Sequence, residues 1–281
     1  MSTFSKPKPT RVLFATFITL FFFLLLNIVN SSDDLSFYFK TFKPSGKDLI
    51  IQGNASVSLE GVLRLTQVKK GQPIAWSVGK VLYAAPVHIW DGDRVASFVT
   101  SFDFRMLAPN QKLVSDGFTF FLAPPNLPMG RNGGYLALFN DSKCDSSYQI
   151  VAVEFDTHGS PDNPWDPDYQ HVGININCLK SDRLTRWDAR YGAEVTNVEI
   201  RYDGSTKTLT AALTYPSDKN SIIVSGGVDL KAILPEWVTV GFTATTADTF
   251  RETHDVLNWK FDSTLETNNN VGLESKGHDT A

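Results

Sequence analysis

Short runs in which apolar and polar residues alternate, each closed by a turn signal, recur along most of the chain. A period of two puts every second side chain on one face of an extended strand, so these runs constrain the chain to sheets. Leu35–Phe39 alternates before the turn at Pro44-Ser-Gly46, and Ala55–Leu59 alternates before Glu60-Gly61 and Val62–Leu65. Val95–Phe104 predicts a long strand, apolar enough on both faces to be largely buried. Phe118–Leu122 stops at Pro124-Pro125, where a ladder cannot continue. Ile150–Asp156 and Val172–Asn177 flank a polar, proline-broken loop. Val198–Tyr202, the Asp203-Gly204 turn and Leu209–Tyr215 read as a hairpin, and Val238–Thr243 and Val256–Phe261 complete the set. Only Val228–Ile233, before Pro235, reads as a helical turn. About a dozen strands without a long amphipathic helix or a repeat predict an all-β sandwich or barrel. An aromatic content of 12%, with 20 phenylalanines, suits half-buried pleated surfaces.

The two ends read differently from this middle. Lys6, Lys8 and Arg11 precede an apolar run from Val12 to Val29, and small residues follow at Ser31 and Ser32. Residues 1–31 therefore read as a secretory signal peptide, the alternative being an uncleaved anchor of spanning length. Export predicts an extracellular or vacuolar destination. It also makes the sequons at Asn54 and Asn140 candidate glycosylation sites. From residue 264 to 281 the chain is polar, with three successive asparagines, and reads as a disordered tail. The folded domain is thus expected over residues 32–263. A net charge of −4 without basic blocks argues against nucleic acid as a partner. Two cysteines, Cys144 and Cys178, are too few to hold so large a domain together.

Chemistry concentrates between Glu154 and His171. Glu154 and Asp156 stand two apart at a strand end, so both carboxylates point to one face. The following loop supplies Asp162, Asn163, Asp166 and Asp168, and the next strand opens on His171. Carboxylate and amide oxygens suit Ca²⁺, whereas histidine added to carboxylates suits a transition ion such as Mn²⁺. Carboxylates crowded together repel unless protonated or bridged by cations. Taken alone, the same residues also read as a solvated acidic loop.

Three stretches of this segment carry a resemblance: Val153–Thr157, Asn163–Pro167 and His171–Asn177. They resemble the metal-binding segment of legume lectins, and Leu82–Trp90, Ala96–Phe102, Phe120–Pro124, Leu234–Trp237 and Thr253–Val256 extend the likeness over nearly all the chain beyond residue 31. The resemblance implies a jelly-roll sandwich with a flat back sheet, a curved front sheet, and paired Mn²⁺ and Ca²⁺ beneath a sugar site. It assigns Glu154, Asp156, Asp166 and His171 to the transition metal. To Ca²⁺ it assigns Asp156, the backbone oxygen of His158, Asn163 and Asp166. Asp116, Gly134, Asn163, Asp248 and Thr249 would contact the sugar, with a cis peptide between Ser115 and Asp116. The resemblance further implies a non-catalytic protein that binds glycans and glycoproteins. It implies a homodimer or homotetramer built through the back sheet.

Three positions depart from the family pattern. The metal loop has six residues between Asp156 and Asn163. His158, a weaker platform, stands where an aromatic ring usually stacks on the sugar, leaving stacking to Trp165, to Phe250 or to nothing. Cys178 replaces a serine near the transition metal, and pairing with Cys144 is one outcome of that change. The short fourth loop, Thr246–Phe250, leans toward mannose or glucose, while the long metal loop leans toward fucose, and galactose stays open. A defence relative of the arcelin or amylase-inhibitor kind, with lost sugar binding, is a further alternative that the intact ligand set opposes. A retaining glycosidase of similar architecture needs a second Glu where this chain has Gly159.

Overall fold

The computed structural model describes residues 34–159, 163–218 and 220–265. The leader at 1–31 and the tail beyond Leu265 lie outside the described residues. Thirteen strands of four residues or more can be numbered in chain order. They are β1 (Asp34–Phe39), β2 (Leu49–Gly53), β3 (Val78–Tyr83), β4 (Ser97–Arg105), β5 (Gly117–Ala123), β6 (Val151–Asp156), β7 (His171–Ile176), β8 (Arg183–Arg186), β9 (Thr196–Asp203), β10 (Thr208–Thr214), β11 (Ile222–Gly227), β12 (Trp237–Thr245) and β13 (Asp255–Thr264). All the pairings are antiparallel.

One sheet runs β11-β10-β9-β4-β13, with β1 also on β13; the other runs β8-β7-β6-β5-β12-β3-β2. Their inner faces meet in a core of aromatic side chains. Phe98, Phe102, Phe104 and Trp259 come from the first sheet, and Phe118, Phe120, Phe155 and Phe242 from the second. The Phe118 and Phe155 rings stack at 4.6 Å, and Phe102 meets Phe242 edge-on at 5.0 Å. Such pairs add about 0.5–1.5 kcal/mol each to the area they bury. This is the all-β sandwich that the alternation predicted, in the jelly-roll form that the resemblance implied.

The second sheet is covered on its outer face as well. Leu82, Phe121 and Ala152 pack there against Leu138, Phe139 and Leu179 from the connecting loops. Every residue of β5 is consequently buried. β4 differs from expectation: only Phe98, Thr100, Phe102 and Phe104 are buried, and the residues between them are half-buried. The terminal helical turn is Leu230–Ile233, with Asp229 as its cap. β13 continues to Thr264 and Leu265 is buried, slightly past the expected boundary at 263. Among the described residues, no helix is long and apolar enough to cross a membrane.

Lys80 is the exception inside this apolar frame, fully buried in the middle of β3. Its register partner Thr243 faces Thr119 with hydroxyls 2.7 Å apart, and the Lys80 Nζ donates to Leu127 O at 2.6 Å. That bond holds down the loop leading to Gly134. Burial pushes the Lys80 ammonium from its ordinary 10.5 down to about 8. Between those values the unfolded chain holds more protons than the folded one, so stability rises with pH through that window. The penalty for burying the charge is present in full below pH 8. We expect the stability of the wild type relative to Lys80→Met to rise by up to about 3 kcal/mol between pH 8 and 10.5. Urea titrations of both proteins across that range check this, and a pH-independent difference would refute it.

Candidate metal and sugar site

At one end of the second sheet, register places Thr245, Gly117, Asp156 and His171 in a row across β12, β5, β6 and β7. Phe155 points into the core, so alternation turns Glu154 and Asp156 outward, as the two-residue spacing requires. His171 opens the next strand beside them, its Nε2 3.1 Å from Glu154 Oε1. Asp166 reaches the same place from the loop, where its N–H closes a turn onto Asn163 O at 3.1 Å. One ligand atom each from Glu154, Asp166 and His171 lies within 4.8 Å of the others.

The cluster is electrostatically costly without a counter-charge. Burial first, then the Asp166 and Glu154 charges, raise the Asp156 carboxyl well above its usual range. Burial and Glu154 push Asp166 up to about 7. Burial works against a charged His171, but the hydrogen bond and charge of Glu154 outweigh it and raise the imidazole. Asp166 Oδ2 is buried without a hydrogen-bond partner. Crowded carboxylates, an orphaned oxygen and a histidine fit cations, whose charge would reverse each of these penalties. Asp162 lies outside the described residues, and Asp168 is exposed on the loop.

Asp116 lies near enough to this cluster for its charge to act on Asp156. A cis peptide joins Ser115 to Asp116, as the resemblance implied. Asp116 is buried with Oδ2 unpartnered, and burial, followed by the charge of Glu252, pushes its carboxyl up to about 7. Its backbone is tied to both neighbours: Asp116 N–H donates to Thr245 O at 3.1 Å, and Thr157 N–H to Asp116 O at 3.2 Å. Gly134 faces Asn163 so closely that a Cβ would stand 2.3 Å from its Nδ2. The Asn163 Nδ2 is buried and makes no hydrogen bond among the described residues. His158 N–H donates to Asp156 Oδ1 at 2.7 Å, which fixes the residue whose backbone oxygen was assigned to Ca²⁺. Asp248 and Thr249 are exposed at the tip of the fourth loop.

Of the two candidate rings, Trp165 packs against Tyr135 and the second core cluster. Phe250 instead is 37% exposed and meets His158 edge-on at 5.7 Å. Phe250 is therefore the more exposed of the two rings. Cys178 pairs with Cys144, the outcome named above for the residue in place of serine. Ser181 reaches the cluster by donating its hydroxyl to Glu154 Oε1. Gly173 makes room, since a Cβ there would run into both Ser181 Oγ and Glu154 Oε1. Neither residue stands out in the sequence, because their role arises from a turn that folds back onto β7.

A second group missed in the sequence lies one layer deeper. Glu252, fully buried, accepts from Ser115 N–H at 2.7 Å and from the Thr157 hydroxyl, and its Oε1 lies 3.2 Å from His254 Nε2. His254 Nδ1 in turn lies 3.1 Å from the Thr66 hydroxyl. One carboxylate thus spans the peptide preceding Asp116 and the residue following Asp156.

Fold and site define a class of protein, the carbohydrate-binding β-sandwich whose sugar loops rest on a metal-ready cluster. Within that class, the chain belongs to the legume lectin family: the model of the legume lectin domain matches residues 34–277. It is 56% identical over 280 residues to the bark leucoagglutinin of Maackia amurensis, covering 98% of this chain and 97% of the relative. Among solved structures it is similar to lectin I from Ulex europaeus in complex with the methyl glycoside of α-L-fucose, with 58% identity and a TM-score of 0.79. That match covers 83% of this chain and 99% of the other. Lectin UEA-II complexed with galactose matches at 51% identity and a TM-score of 0.78, covering 83% and 100%. These relatives are lectins, and the chain is a carbohydrate-binding protein rather than an enzyme.

Proposed function

We propose that the protein is a secreted lectin that binds terminal α-L-fucose through a Ca²⁺- and Mn²⁺-supported site. The observation that carries the reading is the Asn163 amide nitrogen, buried, unpartnered among the described residues and pressed against Gly134, together with the unpartnered Oδ2 of buried Asp116. Those atoms are a donor and an acceptor awaiting sugar hydroxyls. Glu154, Asp156, Asp166 and His171 would hold Mn²⁺; Asp156, Asn163, Asp166 and the His158 backbone oxygen would hold Ca²⁺. Bound cations would neutralise the carboxylates and fix the Asn163 side chain. Fucose is favoured by the relative solved with its methyl glycoside and by the long metal loop. Galactose is the second reading, favoured by the complex of UEA-II. Either replaces the mannose or glucose preference drawn from the short fourth loop.

Export through the leader at 1–31, glycosylation at the exposed Asn54 and Asn140, and an extracellular or vacuolar location complete the proposal. Individual sites of this shallow kind bind weakly, and assembly raises their effective strength by ~10²–10⁴. Among the described residues β1 pairs only with β13, so its outer edge is open to a second copy in a homodimer or homotetramer. Calorimetry against methyl glycosides of fucose, galactose and mannose, before and after chelation, tests the reading. Fucoside binding that vanishes on chelation and returns with Ca²⁺ and Mn²⁺ is expected. A metal-replete protein that binds none of the three would overturn it.

A further inference from the structure

Trp76 is an exposed aromatic that neither the core nor the monosaccharide site uses. It is 56% exposed, and its backbone adopts the left-handed conformation at φ 56. A bulky residue rarely takes that conformation unless its surroundings fix it there. Here the surroundings are the fourth sugar loop. Trp76 N–H donates to Ala247 O at 3.2 Å, Ser77 N–H to Thr246 Oγ1 at 3.0 Å, and the Thr246 hydroxyl to Ile74 O at 2.7 Å. Thr246 N–H closes the set on Ser77 O at 3.0 Å. The Trp76 backbone is thus tied to the segment that presents Asp248 and Thr249, with the residue more than half exposed.

The distance to the sugar site is short. Asp116 N–H and Trp76 N–H donate to carbonyls only two residues apart, those of Thr245 and Ala247. Two residues of chain span at most ~7 Å, so the two backbones lie within about 13 Å of each other. One disaccharide covers that gap. Val78, Thr245 and Gly117 are register partners, which places the Trp76 backbone at the same end of the second sheet as Asp116.

We propose that Trp76 is a stacking platform for the second residue of a glycan whose terminal sugar occupies the Asp116 site. The proposal rests on the sugar-site reading above. A rigid indole loses little freedom on binding and offers a flat apolar face to the C–H face of a sugar ring. Selectivity then extends past the terminal monosaccharide, toward glycans whose next residue turns to the Trp76 side of the fourth loop.

Paired methyl and 4-nitrophenyl glycosides of fucose and galactose test this, the aryl ring standing in for the second residue. Calorimetry of wild type, Trp76→Ala and Trp76→Phe is read as the affinity ratio of each pair. The wild type should prefer the aryl glycoside by about three- to tenfold. Trp76→Ala should lose that preference while keeping wild-type affinity for the methyl glycoside, and Trp76→Phe should recover part of it. An equal ratio in wild type and Trp76→Ala overturns the proposal. So does an equal loss for both glycosides, which makes Trp76 a support of the fourth loop. A smaller oligomer in light scattering of Trp76→Ala would likewise overturn it, by making the indole a contact between copies. A wild type that binds neither methyl glycoside refutes the sugar-site reading itself, a result visible before any variant is compared.

Discussion

Asn163→Ala is expected to abolish sugar binding, with an affinity loss of more than a hundredfold, equivalent to about 3 kcal/mol. In the structure the Asn163 amide nitrogen is buried without a protein partner, a state that costs ~1–3 kcal/mol until an acceptor arrives. A sugar hydroxyl at that position removes the penalty, and the proposed Ca²⁺ holds the other end of the same amide. Truncation removes both functions at once. Asn163→Asp separates them: it keeps an oxygen for the cation and loses the only N–H donors of the side chain. Calcium content by elemental analysis should remain near wild type in Asn163→Asp while calorimetry finds no sugar binding. The half-buried loop position predicts a small change in thermal stability for either variant. Wild-type sugar affinity in Asn163→Asp would refute the role given to the amide.

How much of this was legible beforehand follows from which faces each strand buries. β5, β6 and β12 carry dense apolar residues because both faces of the second sheet are covered, and their segments were predicted near their true extent. β2, β8 and β11 were not predicted. All three are edge strands with mostly exposed or half-buried residues, so the period-two signal has little burial to generate it. β3 was missed for a different reason: Gly79 and Lys80 interrupt its apolar pattern, yet both are buried. A Cβ at Gly79 would stand 1.8 Å from Leu65 O, so the glycine records a close backbone approach that no local pattern encodes.

The site divides in the same way. Glu154, Asp156 and His171 belong to adjacent strands, and simple alternation brings them together. Asp116, Gly134 and Asn163 come from three separate connections, and only resemblance to a family placed them side by side. Ser181 and Glu252 lie outside every stretch that carried the resemblance, and Gly173 lies inside one without its role being legible there. Each matters through a partner 19 to 137 residues away, as with Ser115 and Glu252 or Glu154 and Gly173. Packing separates the two candidate rings near His158: Trp165 meets Tyr135, whereas Phe250 meets His158 itself.

Glu252→Ala should lower both stability and sugar affinity, although Glu252 lies beneath the residues assigned to the sugar. Its removal leaves the Ser115 N–H, the Thr157 hydroxyl and His254 around a fully buried gap. Orphaned buried groups cost ~1–3 kcal/mol each, so a total of about 3–5 kcal/mol is expected, or roughly 10 °C in melting temperature for a domain of this size. Glu252→Gln preserves the volume and one acceptor for Ser115 N–H. Its amide would face the Thr157 hydroxyl, which can rotate to accept, and its loss should be about half as large. Affinity separates a positioning role from simple support of the fold. Because Glu252 spans the Asp116 and Asp156 segments, the folded fraction of Glu252→Ala should bind the methyl glycoside at least tenfold more weakly at 10 °C, well below its melting point. Glu252→Gln should recover most of that affinity. A lowered melting temperature with unchanged affinity would confine Glu252 to stability, whereas a parallel loss in affinity and its recovery in Gln would make it the joint through which metal loop and sugar loop hold one geometry.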